Sequence, residues 1–372
     1  MVCATENMMG SGRLRLALIT GSFPPEICGV GDYSARLAEH LAPWCDVQVV
    51  TSCGEGGAAD GLTVHRVMNS WSLRKLPFFI SLIRKIAPDV IHIQYPTRGY
   101  GAGTLPYIVP LLCRLMGKPS VQTWHERPEL RRFLLNAFTS DDIVVVEEDL
   151  PSNLPSLIAG YTDRKRWHHI PIASNIPAVQ MSPADIFEER SRYCSEDERL
   201  VVFFGFATPE KGVEYLFDIA DPATDYLVII SQLSPADGYH GRILELAGSG
   251  SWKGRCTVTG CLPQDRVARL LRSADAAVFP FVSGMRPKNG SVLAALAQGT
   301  LVVTTSTTGH GYDPRHNIFR ALPGDTTAMR EALGRYRATK VQPSVAMTWT
   351  TIAELHYQLY TSLVTHETHS DT

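Results

Sequence analysis

Several things are scarce in this 372-residue chain. No apolar run approaches the roughly 20 residues that a membrane span requires. The eight cysteines (Cys3, Cys28, Cys45, Cys53, Cys113, Cys194, Cys256, Cys261) form no CxxC pair and no Cys/His cluster at zinc spacing, which argues against a structural zinc site. They read as reduced packing thiols of a cytoplasmic protein. Neither sign of charge dominates: 35 Lys+Arg stand against 37 Asp+Glu, net −2, which argues against nucleic acid as the main partner. The segment before Arg13 lacks the apolar core of a signal peptide, so a soluble or at most membrane-peripheral protein is expected.

What is present is a rhythm. Short apolar strands alternate with helical stretches: LRLALIT (14–20), VQVVT (47–51), VIHIQ (90–94), SVQTW (120–124) and IVVVE (143–147) in the first half. The second half repeats it with LVVFFGF (200–206), YLVIIS (226–231), CTVTG (256–260), AAVFPF (276–281) and LVVTT (301–305). Such alternation predicts parallel sheets with helices on both faces. At 44% hydrophobic residues the chain can fill two cores. The expected fold class is therefore α/β, as two doubly wound Rossmann-like domains facing across a cleft. The expected boundaries are 1–177 for the first domain, 178–199 for a charged, proline-bearing linker, and 200–349 for the second. Ligands of such sheets bind beyond the carboxyl ends of the strands, so motifs placed there carry the functional reading.

The first strand runs into GSFPPEICGVGDYSARLAEHLA, where Gly29 and Gly31 allow close backbone approach ahead of a helix from about Asp32. A nicotinamide-dinucleotide site is a poor fit. The spacing is G-x-G-x-x-S, and the second strand ends in Thr51-Ser52 without an acidic ribose ligand. His125 and Glu126 follow SVQTW, where a polar pair can face ligand or simply complete the strand end. His92, inside VIHIQ, reads as a core-facing or strand-end histidine. Glu147 and Asp149 have E-x-D spacing, but no further acidic or histidine partner accompanies them, so no metal is expected. In the second half Gly205 ends a strand and Lys211-Gly212 opens a helix, where a lysine reaches phosphate as a point charge. Phe279 to Thr305 reads as strand, loop, short helix and strand. Its Arg286, Lys288, Asn289, Gly290 and Ser291 precede the helix Val292 to Gln298, the layout of a phosphate cradle. The stretch 70–87 mixes Arg74, Lys75, Arg84 and Lys85 with Trp71, Phe78 and Phe79; a sheet-covering crossover helix accounts for it better than an amphipathic membrane-surface helix.

Together these segments resemble the GT-B nucleotide-sugar glycosyltransferases, specifically glycosyltransferase family 4. FPPEICGVGDYSARLAEHL is similar to the family's first glycine loop, QTWHE to its cleft histidine segment, FFGFATPEKG to its donor loop, and WTTIAELHYQLY (349–360) to its closing helix, which returns to the first domain. The resemblance implies transfer of a sugar from a nucleoside-diphosphate co-substrate to an acceptor, with retention and without metal or bound cofactor. By it, Lys211 holds the donor pyrophosphate, His125 holds the transferring sugar or assists at the acceptor, and Gly29, Gly31, Asp32 and Glu126 form the acceptor or phosphate loop. Two departures stand out: Phe206 replaces the donor-loop arginine, and Arg286 and Ala294 stand where the family's two glutamates are expected. A non-catalytic nucleotide-sugar binder and a sugar-nucleotide epimerase remain as alternatives.

Overall fold

The computed structural model describes residues 13–26, 28–56, 61–126, 141–151, 165–336, 339–341 and 347–370. The chain divides into two compact units, Met1–Ile172 with Met347–Thr372, and Ala173–Ala346. Each is built on one sheet of seven strands.

In the first unit the strands are β1 (Leu14–Ile19), β2 (Cys45–Ser52), β3 (Thr63–Met68), β4 (Val90–Tyr95), β5 (Ser120–Trp124), β6 (Asp142–Val145) and β7 (Arg166–His169). Their order across the sheet is β3-β2-β1-β4-β5-β6-β7, all parallel. The order reverses beside β1, which creates the switch point where ligands of such sheets bind. Helix α1 (Gly29–Leu41) follows β1, α2 (Leu76–Ile86) leads into β4, and α3 (Leu105–Leu115) leads into β5. Helices α2 and α3 share one core with Ala17, Ile19, Ile91 and Ile93 of the sheet. Helix α1 packs instead against the long helix Trp349–Ser370. That last helix buries Ile352, Ala353, His356 and Tyr360 and sets Trp349 edge-on to Tyr33, ring centroids 5.1 Å apart.

The second unit repeats the pattern with β8 (Arg199–Phe204), β9 (Asp225–Ile230), β10 (Cys256–Val258), β11 (Ala276–Phe279), β12 (Leu301–Thr305), β13 (Gly311–Asp313) and β14 (Ile318–Ala321), in the order β10-β9-β8-β11-β12-β14-β13. Only β13 runs antiparallel, against β14. Residues Leu200–Phe203, Leu227–Ile230, Ala276–Phe279 and Leu301–Val303 are essentially inaccessible to water. Helices on both faces leave these central strands no solvated side, which is why they appear in the sequence as continuous apolar runs.

The stretch 178–199, expected as a linker, differs from that reading. It forms a helix, Pro183–Ser191, inside the second unit. A capping box starts it: Asp185 donates its N–H to Ser182 Oγ at 3.2 Å, while the Ser182 N–H donates to Asp185 Oδ2 at 3.1 Å. Its charge run is not simply solvated, because Glu189 is fully buried among Arg266 at 3.0 Å, Arg192 at 3.3 Å and Arg269 at 3.7 Å. Three guanidinium groups offset the desolvation of one carboxylate, and two of them, Arg266 and Arg269, tie the helix to Gln264–Ser273.

Candidate functional site

At the carboxyl edge of the first sheet the chain packs backbone on backbone. A Cβ on Gly99 would lie 1.7 Å from the Gly21 carbonyl oxygen, and one on Gly21 would lie 2.1 Å from Thr97 Oγ1, so both positions exclude any side chain. Gly99 also donates its N–H to Ser22 Oγ at 2.9 Å. The loop after β4 is thereby locked to the loop after β1. Helix α1 begins at Gly29, three residues ahead of the expected start at Asp32, and no side chain caps it. Gly29 is exposed with open space about it, whereas Gly31 is buried, and a Cβ there would come 3.1 Å from the Ser22 carbonyl oxygen. The close approach expected at Gly31 is therefore to the chain's own loop. Burial raises the pKa of Asp32, and Arg36 opposes the rise.

His125 directly follows β5 and is nearly buried, its N–H bonded to the Tyr95 carbonyl at 2.8 Å. Its Nε2 lies 2.7 Å from Gln94 Oε1. Gln94 Nε2 lies 3.1 Å from His92 Nε2, which is also 2.7 Å from Thr123 Oγ1. His92 Nδ1 is 2.6 Å from the Tyr360 hydroxyl. Donor and acceptor roles then fall into one consistent pattern. Gln94 donates to His92 Nε2, so His92 carries its proton on Nδ1 and donates it to Tyr360, while His125 donates Nε2–H to Gln94. Burial pushes the His92 pKa well below the ordinary histidine value, with His356 and His125 adding to the shift, so His92 stays neutral. The Tyr33 ring stands edge-on to His125, centroids 4.5 Å apart. His92 is thus core-facing as expected, but it also supports His125. Gln94, Tyr33 and Tyr360 escaped the sequence reading. The available signal was the polar pair His92 and Gln94 at i and i+2 in a strand expected to be apolar on both faces. Glu126 is exposed. Beyond the ends of β2 and β3 lies a cavity of about 540 Å³, lined by Ser52, Cys53, Asn69, Ser70, Trp71 and Tyr100 among others, without a charged side chain.

The carboxyl edge of the second sheet has the opposite character. Gly205 ends β8 with φ 142°, and a Cβ built on it would stand 3.7 Å from Ser291 Cβ, so the two halves of the expected phosphate cradle meet. The helix begins at Gly290, not Val292, and runs to Ala297. Asn289 does not cap it; Asn289 Oδ1 takes the Arg286 N–H at 2.5 Å, leaving the first-turn N–H groups without a side-chain cap. Lys211 Nζ lies 4.6 Å from the centroid of the Phe281 ring. Burial lowers its pKa; the Glu210 carboxylate opposes the shift, and the charge of Lys288 adds to it by less. Lys288 stands two residues ahead of the uncapped helix start and its charge reaches Lys211, an arrangement that would suit an anion. Gly212, at φ 61°, holds this loop against β11, where a Cβ would come 2.4 Å from the Pro280 carbonyl oxygen. His240 Nε2 lies 2.8 Å from the Ala207 carbonyl, and the Tyr239 hydroxyl accepts the Val213 N–H at 3.0 Å and bonds the Glu214 carboxylate. These two supports also escaped the sequence reading. Phe206 is 58% exposed, whereas Ala294 is wholly buried and offers the site no polar atom. Arg286 is exposed and Lys288 half-buried on the same loop.

Two doubly wound units, one edge neutral and hydrogen-bonded and the other cationic, define a two-unit α/β transferase architecture. Residues 28–171 match the family model of the glycosyl transferase 4-like domain, and residues 198–337 that of glycosyl transferases group 1. The chain belongs to the GT-B glycosyltransferases. It is 23% identical over 332 residues to an uncharacterized glycosyltransferase of Methanocaldococcus jannaschii, covering 80% of this chain and 81% of the relative. Its fold is similar to sucrose-phosphate synthase from Thermosynechococcus elongatus, with a TM-score of 0.74 at 18% identity over 95% of this chain and 100% of the other. It is also similar to Anabaena HepE in complex with UDP and glucose, with a TM-score of 0.67 at 13% identity over 95% of this chain and 100% of the other.

Proposed function

We propose that this glycosyltransferase takes its sugar from a nucleoside-diphosphate donor and passes it, with retention of anomeric configuration and without a metal ion, to a hydroxyl-bearing acceptor. The observation that carries the reading is the approach of Gly205 to Ser291 at the uncapped start of helix Gly290–Ala297, with Lys211 and Lys288 on the two adjoining loops. When the sugar–diphosphate bond breaks, negative charge develops on the departing phosphate. Preorganised cations and N–H donors are the usual large contribution to stabilising it. Lys211 is held partly desolvated and its pKa is lowered in spite of Glu210, so an arriving anion would stabilise its charge. The complex of HepE with UDP and glucose supports the donor class. Arg286, Asn289 and Ser291 complete the donor contacts in this reading. In this reading the first unit receives the acceptor, with Gly29, Asp32 and Glu126 on its acceptor or phosphate loop and His125 at the sugar or acceptor hydroxyl.

Release of nucleoside diphosphate from UDP-, GDP-, ADP- and dTDP-sugars, with and without glycan and lipid-linked acceptors, tests the reading. One donor should be consumed only when acceptor is present, and Lys211→Met should lower kcat about 10²- to 10³-fold. Undiminished turnover in the variant would refute the assignment of Lys211. Sugar inversion without an acceptor would replace transfer by epimerisation. Thermal stabilisation by a nucleotide with no turnover of any sugar would make the chain a non-catalytic binder.

A further inference from the structure

The residues from Gly61 to His125 include eight lysines and arginines and a single acidic residue, Asp89, in a chain whose net charge is −2. This stretch contains β3, α2, β4, α3 and β5. Because α2 and α3 bury their inner sides in one core on one face of the first sheet, their outer sides look away from that same face. The outer side of α2 presents Pro77, Phe78, Ser81, Arg84 and Lys85, preceded by exposed Leu73 and Arg74. The outer side of α3 presents Leu111, Arg114 and Leu115, flanked by half-buried Ile108 and Leu112. Phe78 is 46% exposed and Leu115 76%. These are large apolar side chains at the positions where a surface helix ordinarily carries polar ones.

We propose that the outer face of α2 and α3 is a docking surface for an anionic lipid bilayer. Basic side chains alternate there with apolar ones, the combination that lies in a membrane interface with its charges on the headgroups and its hydrocarbon below them. Among the described residues, the acidic groups of this stretch and beside Arg114 are engaged. Asp89 accepts the Arg15 N–H at the foot of β4, and Asp141 pairs with Arg114 and, at 3.5 Å, with Lys165. Arg74, Lys75, Arg84 and Lys85 therefore give the face a positive field that complements an anionic headgroup layer. Attachment here is peripheral, since no helix among the described residues is long and apolar enough to cross a membrane. The proposal is independent of the transfer reaction above, because none of these residues belongs to either sheet edge.

Flotation of the full chain with vesicles tests it. Wild-type protein should float with phosphatidylcholine vesicles containing phosphatidylglycerol, should not float with phosphatidylcholine alone, and should be released by high salt. Arg84→Glu with Lys85→Glu should weaken binding at least about tenfold, given the contribution of each cation near an anionic surface. Phe78→Ser with Leu115→Ser should weaken it severalfold while leaving its salt dependence in place. All four side chains are exposed, so circular dichroism should be unchanged. No flotation of the wild type, binding equal in the charge-reversed variant, preferential capture by double-stranded nucleic acid, or self-association through this face that the serine variant abolishes would each overturn the proposal.

Discussion

The two sheets share the order of their first five strands and differ only at the far margin, where β14 precedes an antiparallel β13, yet the chemistry at the two carboxyl edges is opposed. Around β4 and β5 the polar groups satisfy one another: His125, Gln94, His92, Thr123 and Tyr360 form one neutral, buried chain of hydrogen bonds. Around β8 and β11 the loops carry cations instead: Lys211 and Lys288 are both half-buried, and the charge of Lys288 adds to the lowering of the Lys211 pKa by burial. The difference teaches that one fold supplies position and the loops supply chemistry. A self-satisfied network holds a side chain still, whereas like charges gathered on neighbouring loops favour an incoming anion.

Substitutions that treat the edges as equivalent should expose the contrast. The largest effect is expected from Gly99→Ala, whose Cβ would overlap the Gly21 carbonyl; the protein should lose on the order of 4 kcal/mol or more, or fail to accumulate as folded chain. Gly290→Ala, by contrast, meets nothing within 4 Å and should leave chemical-denaturation midpoints within about 0.5 kcal/mol. Equal losses at the two sites would erase the distinction between a locked edge and an open one.

Next in size is acid sensitivity of the first edge. His356 is fully buried, and burial lowers its pKa to about 4 from 6.5, only partly offset by the Ile352 carbonyl. A depressed folded pKa means that the stability is complete above pH 6.5 and is lost as pH falls toward 4, by about 3 kcal/mol at the end of that window. Denaturation midpoints measured from neutral pH down to 4 should show the loss, and His356→Gln should flatten it. A smaller effect is expected from Gln94→Leu, which leaves a donor on His125 without its acceptor. Steady-state kinetics should show kcat reduced about tenfold with KM nearly unchanged. A change confined to KM would mean that the network serves binding and not the orientation of His125.

Most of this architecture was legible because central parallel strands are buried on both faces. The apolar runs at 120–124 and 301–305 coincide with β5 and β12, and the other eight fall on strands with shifts of one or two residues at their ends. The strands that escaped notice are β3, β7, β13 and β14, at or next to the sheet margins, where TVHRVM, RWHH and GYD keep polar residues because one side faces water. The phosphate cradle was visible as glycine and lysine at strand ends. What brings Gly205 against Ser291, however, is a contact 86 residues apart in sequence, which no local pattern encodes. The support of His125 by Tyr360 spans the length of the chain in the same way. The charges of 178–199 suggested a solvated linker because a carboxylate buried among three arginines has the same letters as one in water.

The return of helix Trp349–Ser370 to the first unit makes the second unit an insert. The chain enters it near Ala173 and leaves it before Met347, so one continuous block of sequence carries every cation of the anion-facing edge. On the donor reading proposed above, exchanging that block between relatives would change the donor the protein uses while leaving the hydrogen-bonded chain from His125 to Tyr360 entirely within the recipient.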